Sequence, residues 1–414
     1  MTITDIGEGT SLDDIDLYSP AGYADGVPYE AWRRLRDEDP VHRAVAPGGV
    51  PYWSVTRHED VVAILRDTAR FSSEHSTMLA VLDRDTAAGR AIHLTDPPRH
   101  GVVRAATIRS MAMRVMQTHE ERIRQRVRRL VTHAVDKREI DFARLVTGLP
   151  MLVAGELMGI PQKLWAQAAR WTVASMAPED PVYAMPGYTP EATLKAAHVF
   201  LFGMFLDLVA ERRKDPSGDD LISYLCRMEV DGAPATDEDV LVNCYAFIMG
   251  ANPTIPQASA HFVYAMAERP EVWQRIRAER ALLPSALEET LRWSSPVNHL
   301  LRRTTTEVEM HGKTLPAGSL VAAWIGSADF DERVFDEPHT FDPARQPNPH
   351  IAFGYGSHRC IGNSAAQTGV KLLIDELAEQ VAGIELAGPV RHLRSNFLNG
   401  ITNLPVVLTP GERP

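Results

Sequence analysis

Apolar residues recur at helical spacing along most of the chain. Helix-period positions fill YEAWRRLRDED after residue 28, an apolar strand candidate covers 52–55, and the helical period returns in HEDVVAILRDTARF. Between 71 and 98 the periodicity lapses; this irregular connector ends in Thr95-Asp96-Pro97-Pro98, and a long helical region restarts over 99–137. Helical patterns dominate 142–228, broken by APEDPVYAMPGYTP at 177–190, whose prolines and glycine require a loop. Helices are predicted over 237–269 and 284–293, and β-type runs at 299–310 and 318–325. The pattern predicts a mainly α fold with a small β-rich part. No repeat and no linker interrupts it, so one large domain is expected over 21–411, behind a flexible N-terminal segment, 1–20.

Composition narrows the function classes. With 414 residues, 44% of them hydrophobic and 23% charged, the chain buries a large core, and disorder is excluded. A formal net charge of −11 with scattered Lys and Arg gives no footprint for nucleic acid. The best membrane candidate, 198–210, is short and carries Asp207, so no membrane association is expected. The acidic opening MTITDIGEGTSLDDID is unlike a secretory signal, and a cytoplasmic protein is expected. Three cysteines, Cys226, Cys244 and Cys360, show no CxxC spacing, and there is no HExxH, so neither disulfide framework nor zinc site is supported.

Cys360 stands apart because of its surroundings. The run His350-Ile-Ala-Phe353-Gly354-Tyr-Gly356-Ser-His358-Arg359-Cys360-Ile-Gly362 packs glycines around one sulfur just ahead of a helical stretch. Glycines let the backbone turn tightly, and the free N–H groups of a helix start favour a thiolate, a good iron ligand. A lone cysteine is more often inert core. Here Phe353, Gly356, Cys360 and Gly362 match FxxGxxxCxG, and the chain resembles the cytochrome P450 family of haem-thiolate enzymes. The resemblance implies the cytochrome P450 fold, haem b as cofactor, and Cys360 as the axial metal ligand.

Further family motifs stand at matching places. Glu289 and Arg292 resemble the ExxR pair; such a pair is usually a surface contact, but the resemblance implies a buried lock on the segment 331–345 with a folding role. The two haem carboxylates need cationic or hydrogen-bonding partners. DPPRHGVVR resembles the family's DPPxHxxxR, which implies His100 and Arg104 as partners, joined by Arg302 and His358; Phe353, Gly354 and Gly362 complete the cofactor-binding set.

The helix over 237–269 is expected to cross the distal face of the haem. There the family carries small-Gly-x-acid-Thr, and this chain reads Gly250-Ala251-Asn252-Pro253-Thr254. Thr254 keeps the alcohol position and Gly250 shares its face, leaving room for dioxygen. Proline replaces the acid linked to proton delivery, and with Pro256 it strips the carbonyls of Met249 and Asn252 of their N–H partners, kinking or opening the helix. Asn252, Thr254 and water, or a polar group on the substrate, can replace the acid; alternatively the chemistry is radical coupling or ring closure.

By resemblance, Met78, Leu79, Leu82, Phe247, Val297, Leu300 and Phe397 form an apolar substrate wall, with His75, Asn298 and His299 as polar anchors. These imply oxidation of a mid-sized, mostly hydrophobic organic substrate with O2, by hydroxylation, epoxidation or coupling, in secondary metabolism. No flavin or nicotinamide domain is legible, so a monomer fed by a ferredoxin and its ferredoxin reductase is expected, docking near Arg359. The rivals are a haem protein that does not activate O2, such as a gas sensor or carrier, and a peroxide-driven haem enzyme.

Overall fold

The structure is a computed structural model that describes residues 10–82, 85–108, 113–230 and 232–411. An N-terminal layer holds α1 (Tyr29–Glu38), β1 (Val41–Ala46), β2 (Val50–Val55), α2 (His58–Arg66) and β3 (Phe71–Ser72). The helical body begins with α3 (Arg99–Ile108) and α4 (Met113–Lys137), followed by the short β4 (Glu139–Asp141), α5 (Phe142–Val146), α6 (Leu149–Met158), α7 (Trp165–Met176), α8 (Pro190–Lys214) and α9 (Leu221–Cys226). A small hairpin, β5 (Glu229–Val230) and β6 (Ala233–Pro234), leads to α10 (Asp237–Ala251), α11 (Thr254–Glu268), α12 (Pro270–Ala278) and α13 (Leu283–Ser294). The chain then returns to strands β7 (Leu300–Thr304), β8 (Val308–Met310), β9 (Lys313–Leu315) and β10 (Leu320–Ala323), a short α14 (Ile325–Ala328), and a long loop into α15 (Asn363–Gln380). Strands β11 (Val381–Leu386), β12 (Arg391–His392), β13 (Ile401–Asn403) and β14 (Pro405–Pro410) close it.

The main sheet has the order β1-β2-β10-β7-β3. Its β10 runs parallel to β2 and antiparallel to β7, so a strand from the last third of the chain zips onto the N-terminal hairpin. A second sheet, β11-β14-β4, ties the C-terminus to the end of α4.

The largest apolar cluster joins α4, α5, α6, α11, α13 and α15, with Phe142, Phe262, Trp273 and Leu377 fully enclosed. A second lies between α6, α7, α8, α9 and α10. A full Leu or Phe burial is worth about 2 kcal/mol, so these clusters set the frame that positions everything else. Helix α8 is long and apolar enough to cross a membrane by length and composition, which the short 198–210 window had concealed. It instead buries Leu201, Met204, Phe205, Leu208 and Val209 within the second cluster.

Residues 1–9 of the expected flexible N-terminal segment lie outside the described residues. From Thr10 the chain is tied down: Ile15 and Leu17 are buried, and Asn396 Nδ2 donates to Tyr18 O at 2.6 Å, so the flexible reading does not extend to residue 20. The predicted helix over 99–137 contains α3 and α4, with 109–112 outside the described residues. The expected helix over 237–269 is divided into α10 and α11, while Asn252 (φ −65°, ψ −38°) and Pro253 (φ −78°, ψ −32°) keep right-handed helical dihedrals. The two prolines thus open the ladder of hydrogen bonds without taking the backbone out of the helical region.

Candidate active site

Cys360 sits at the end of a loop shaped by two left-handed glycines, Gly354 (φ +69°) and Gly356 (φ +70°). A Cβ on Gly356 would lie 2.6 Å from Leu65 O, so only glycine lets this loop close onto the end of α2. The Cys360 N–H donates to Phe353 O at 2.8 Å, which curls the loop back on itself one residue short of Ile361 and Gly362, the cap of α15. The residue is open to a water-sized sphere and yet lies deep among protein atoms, so it lines an internal recess and not the outer surface. Burial raises its thiol above the usual value, outweighing the Gly362 N–H and the charges of Arg104 and Arg359, which pull it down. The expected thiolate stabilisation by the helix start is therefore present but subordinate; direct metal ligation is what would deprotonate this sulfur.

Around Cys360 the structure gathers His100, Arg104, Arg302 and His358. The rings of His100 and His358 lie 4.0 Å apart, and the Nε2 atom of each is buried without a hydrogen-bond partner. Arg302 is 2% exposed, and its one side-chain hydrogen bond among the described residues runs from Nη1 to Leu301 O at 2.8 Å. Burial pushes its guanidinium down to about 10, with only Asp96 opposing. Arg104 Nη2 donates to Arg359 O at 2.7 Å, and burial lowers Arg104 as well. His358 is pushed down to about 2, first by burial and then by Arg302, His100, Arg104 and His93. His93 is a fifth member that sequence reasoning missed: it lies in the irregular connector, outside any motif, and only folding brings it to the cluster. Two arginines this close, beside histidines that burial keeps neutral and two of which have Nε2 atoms unpartnered among the described residues, call for an anion. A thiol beside a recess and cationic groups suited to two carboxylates fit haem.

The loop is anchored from behind by the acid of α13. Glu289 and Arg292 are both fully buried, and Arg292 Nε and Nη2 donate to the two Glu289 oxygens at 2.8 Å each. Arg292 also donates to Asp329 O and Pro338 O, while Glu289 accepts from Arg345 Nε, the Asp342 N–H and Asn348 Nδ2. Two further carboxylates hold the loop directly. Asp329 accepts from the Ile351 N–H at 2.7 Å, and Glu288 bonds both His350 and Gln367, stitching α13 to the loop and to α15.

On the other side stands the junction of α10 and α11. Gly250 is exposed in the middle of the molecule, and a Cβ there would meet nothing within 4 Å, so space opens at this point of the helix. Thr254 Oγ1 donates to Gly250 O at 2.6 Å. Asn252 is turned away: it is fully buried, with Nδ2 donating to Thr172 Oγ1 of α7 at 3.2 Å and Oδ1 unpartnered. As a stand-in for the missing acid it is misplaced, because its position on the helix points it at α7.

The expected substrate wall divides. Met78, Val297, Leu300 and Phe397 gather in one cluster with Trp171 and Met176 of α7, and Leu300 Cδ1 lies 3.8 Å from a Cβ on Gly354, which joins this wall to the cysteine loop. Leu79 and Leu82 instead pack beside Trp32, Tyr52 and Trp324 in the N-terminal core, and Phe247 is enclosed between α8, α9 and α10. His299 is a correction of the same kind: it is fully buried, its Nε2 accepts from the Leu79 N–H, and its Nδ1 faces Asn396 O, both at 3.1 Å. Asn298 is buried beside it with Nδ2 on Asn396 O, and His75 Nδ1 meets Arg303. His75 and His299 are engaged in holding the fold, while Asn298 keeps a buried Oδ1 without a partner among the described residues.

Residues 180–377 match the family model for cytochrome P450. The chain is 30% identical over 406 residues to linalool 8-monooxygenase of Pseudomonas putida, covering 95% of this chain and 99% of that one. It is 31% identical to cytochrome P450 NovI of Streptomyces niveus, over 97% of this chain and 98% of the relative. Among solved structures, P450 OxyD, involved in the biosynthesis of vancomycin-type antibiotics, superposes with a TM-score of 0.85 at 31% identity, over 96% of this chain and 100% of that chain. With a cysteine loop, a cationic cluster and a helix junction disposed around one recess, and with relatives alike from end to end, the chain belongs to the cytochrome P450 family, whose members bind haem b and oxidise organic molecules as monooxygenases.

Proposed function

We propose that Cys360 would ligate the haem iron and that His100, Arg104, Arg302 and His358, with His93 beside them, would hold its two propionates. Bound haem supplies the activation of O2; the protein supplies position, charge and exclusion of water. The loop around Phe353, Gly354 and Gly362 fixes the sulfur, with Glu289 and Arg292 fixing the loop. Thr254, whose proton rests on the Gly250 carbonyl, is the hydroxyl placed to hand on a proton at the open point of the helix. Pro253 cannot titrate and Asn252 faces α7, so an ordered water or a polar group of the substrate completes the relay.

The substrate is a mid-sized, mostly hydrophobic organic molecule bound against Met78, Val297, Leu300 and Phe397. OxyD's part in antibiotic biosynthesis supports oxidation in secondary metabolism, by hydroxylation, epoxidation or coupling. Electrons come from a ferredoxin and its reductase, docking on the face of Arg359, in the cytoplasm.

The observation that carries this reading is the pair of arginines, Arg104 and Arg302, with the unpartnered Nε2 atoms of His100 and His358, beside one recess-lining cysteine. The purified protein is expected to show the red-shifted Soret band of a ferrous carbonyl thiolate complex, and Cys360→Ser to lose it. A colourless protein, or an unshifted band in fresh wild type, overturns the proposal. Failure to turn over any substrate with ferredoxin, reductase and O2 while keeping that band would favour the gas sensor, and turnover with peroxide alone the peroxide-driven enzyme.

A further inference from the structure

With His75 and His299 occupied in holding the fold, and Asn298 bonded through Nδ2 with only a fully buried Oδ1 to offer, the substrate's polar handle has room for another partner. One polar pair stands where α8 and α10 meet. His198 Nε2 lies 3.0 Å from Tyr245 Oη, and both residues are only half-buried. Phe202 stacks on Tyr245 with ring centres 4.9 Å apart and planes 17° from parallel. Contacts connect this pair to the site on two sides. Tyr245 is one turn before Met249, the residue preceding Gly250, and Met249 Sδ meets Ser175 Oγ of α7. Trp171, which packs with the wall of Met78, Val297, Leu300 and Phe397, lies 6.2 Å from Phe200 of α8. Asp85 of the connector is felt electrostatically by His198, Tyr245 and His93, so the connector closes the third side.

We propose that His198 and Tyr245 form the subsite that holds an uncharged hydroxyl or carbonyl group of an aromatic or polycyclic substrate, with Phe202 beneath it; this rests on the recess being the substrate site of a haem enzyme. Their mutual hydrogen bond uses one position on each; Ser175 bonds the tyrosine oxygen as well, and of its one donor and two acceptor positions one remains, to donate or accept according to how the other two are used. A hydroxyl, being both donor and acceptor, matches either arrangement. Burial holds His198 below its ordinary value and pushes Tyr245 up to about 12, so both are neutral and offer no counter-ion to a carboxylate, which Asp85 would also repel. Asp85 attracts cations, but its Oδ1 already accepts the Ala87 N–H and His93 shares its field.

The test uses the haem-loaded wild type, Tyr245→Phe and His198→Gln. Each is titrated with biphenyl, 4-phenylphenol, biphenyl-4-carboxylate and (biphenyl-4-yl)trimethylammonium, reading Kd by calorimetry and the haem spin state by absorbance. Wild type is expected to bind 4-phenylphenol about tenfold more tightly than biphenyl, the scale of one buried hydrogen bond. Tyr245→Phe should abolish that preference while leaving the Kd for biphenyl within about twofold, and His198→Gln should retain part of it. A preference unchanged in both variants, a stronger binding of either ion, or no preference in wild type, including failure of every probe to bind, overturns the subsite. Loss of the thiolate Soret band in wild type would overturn the haem-thiolate reading instead, and the calorimetric comparison stands apart from it.

Discussion

Glu289 shows how one residue can govern a site it does not touch. It is a fully buried carboxylate that receives hydrogen bonds from two arginines, one backbone N–H and one asparagine, and those donors come from α13 and from the segment leading into the cysteine loop. A surface pair of the same residues would be worth under about 1 kcal/mol, but removing one member of a buried pair strands the other and costs about 3–5 kcal/mol. Glu289→Gln keeps the shape and removes the charge, leaving Arg292 and Arg345 uncompensated. We expect it to lower unfolding free energy by about 3–5 kcal/mol in urea denaturation and to reduce haem incorporation. A loss below about 1 kcal/mol would show that the pair is not a lock. Asp329 works on the same loop: its Oδ1 fixes the Ile351 N–H while Oδ2 is buried without a partner, and burial raises its pKa.

At the scale of elements, the junction of α10 and α11 concentrates what is unusual in this chain. Two prolines remove N–H donors within four residues, yet the dihedrals remain helical and Thr254 caps the Gly250 carbonyl with its side chain. The junction is therefore a helix with an open ladder beside an open face. Proton transfer from a positioned side chain is worth about 10²–10⁴-fold, so an acid introduced here should register in the chemistry. Pro253→Asp is expected to alter the ratio of product formed to electrons consumed from a ferredoxin system; an unchanged ratio and product would show that the proline does not shape the reaction. Much of this region was legible in the sequence, because Gly250, Pro253 and Thr254 lie within five residues and their spacing is that of a helix. The cysteine loop was legible for the same reason. What escaped was long-range: β1 and the strands after α15 are short and have little periodicity of their own, so they acquire their form only by pairing, as β14 does with β4 across the chain. Likewise Leu79, Leu82 and His299 lie in apolar surroundings that sequence cannot divide into core and pocket, and His93, His198 and Tyr245 belong to no motif until three elements converge.

Over the whole molecule, His299, withdrawn from the site, braces the connector against the C-terminal segment, and with the buried His261 it gives the fold a definite response to acid. His299 ties the connector at Leu79 to the C-terminal segment at Asn396, and His261 Nδ1 faces Gln257 O within α11. Burial pushes them down to about 3 and about 4, against about 6.5 in an unfolded chain. Because the folded values are lower, the unfolded chain takes up protons that the folded one refuses, so stability is lost as pH falls from 6.5 toward 4. Each such histidine contributes about 1.4 kcal/mol per pH unit, hence about 3 for the two, and part-buried His198 and His392 act in the same sense. Carboxylates held low, such as Glu288, weaken the fold only below their unfolded value of 4.5, while those that burial raises, such as Asp329, act in the opposite sense to the histidines. A fall of about 3 kcal/mol per unit over this interval consumes much of the 5–15 kcal/mol that stabilises a domain. Urea denaturation followed by circular dichroism at pH 7, 6 and 5 should show that fall, and His299→Gln should lessen the slope by about 1.4 kcal/mol per unit even though its stability at pH 7 is lower. An unaltered slope would mean that the brace keeps its bonds when protonated, which the Leu79 N–H pointing at Nε2 forbids.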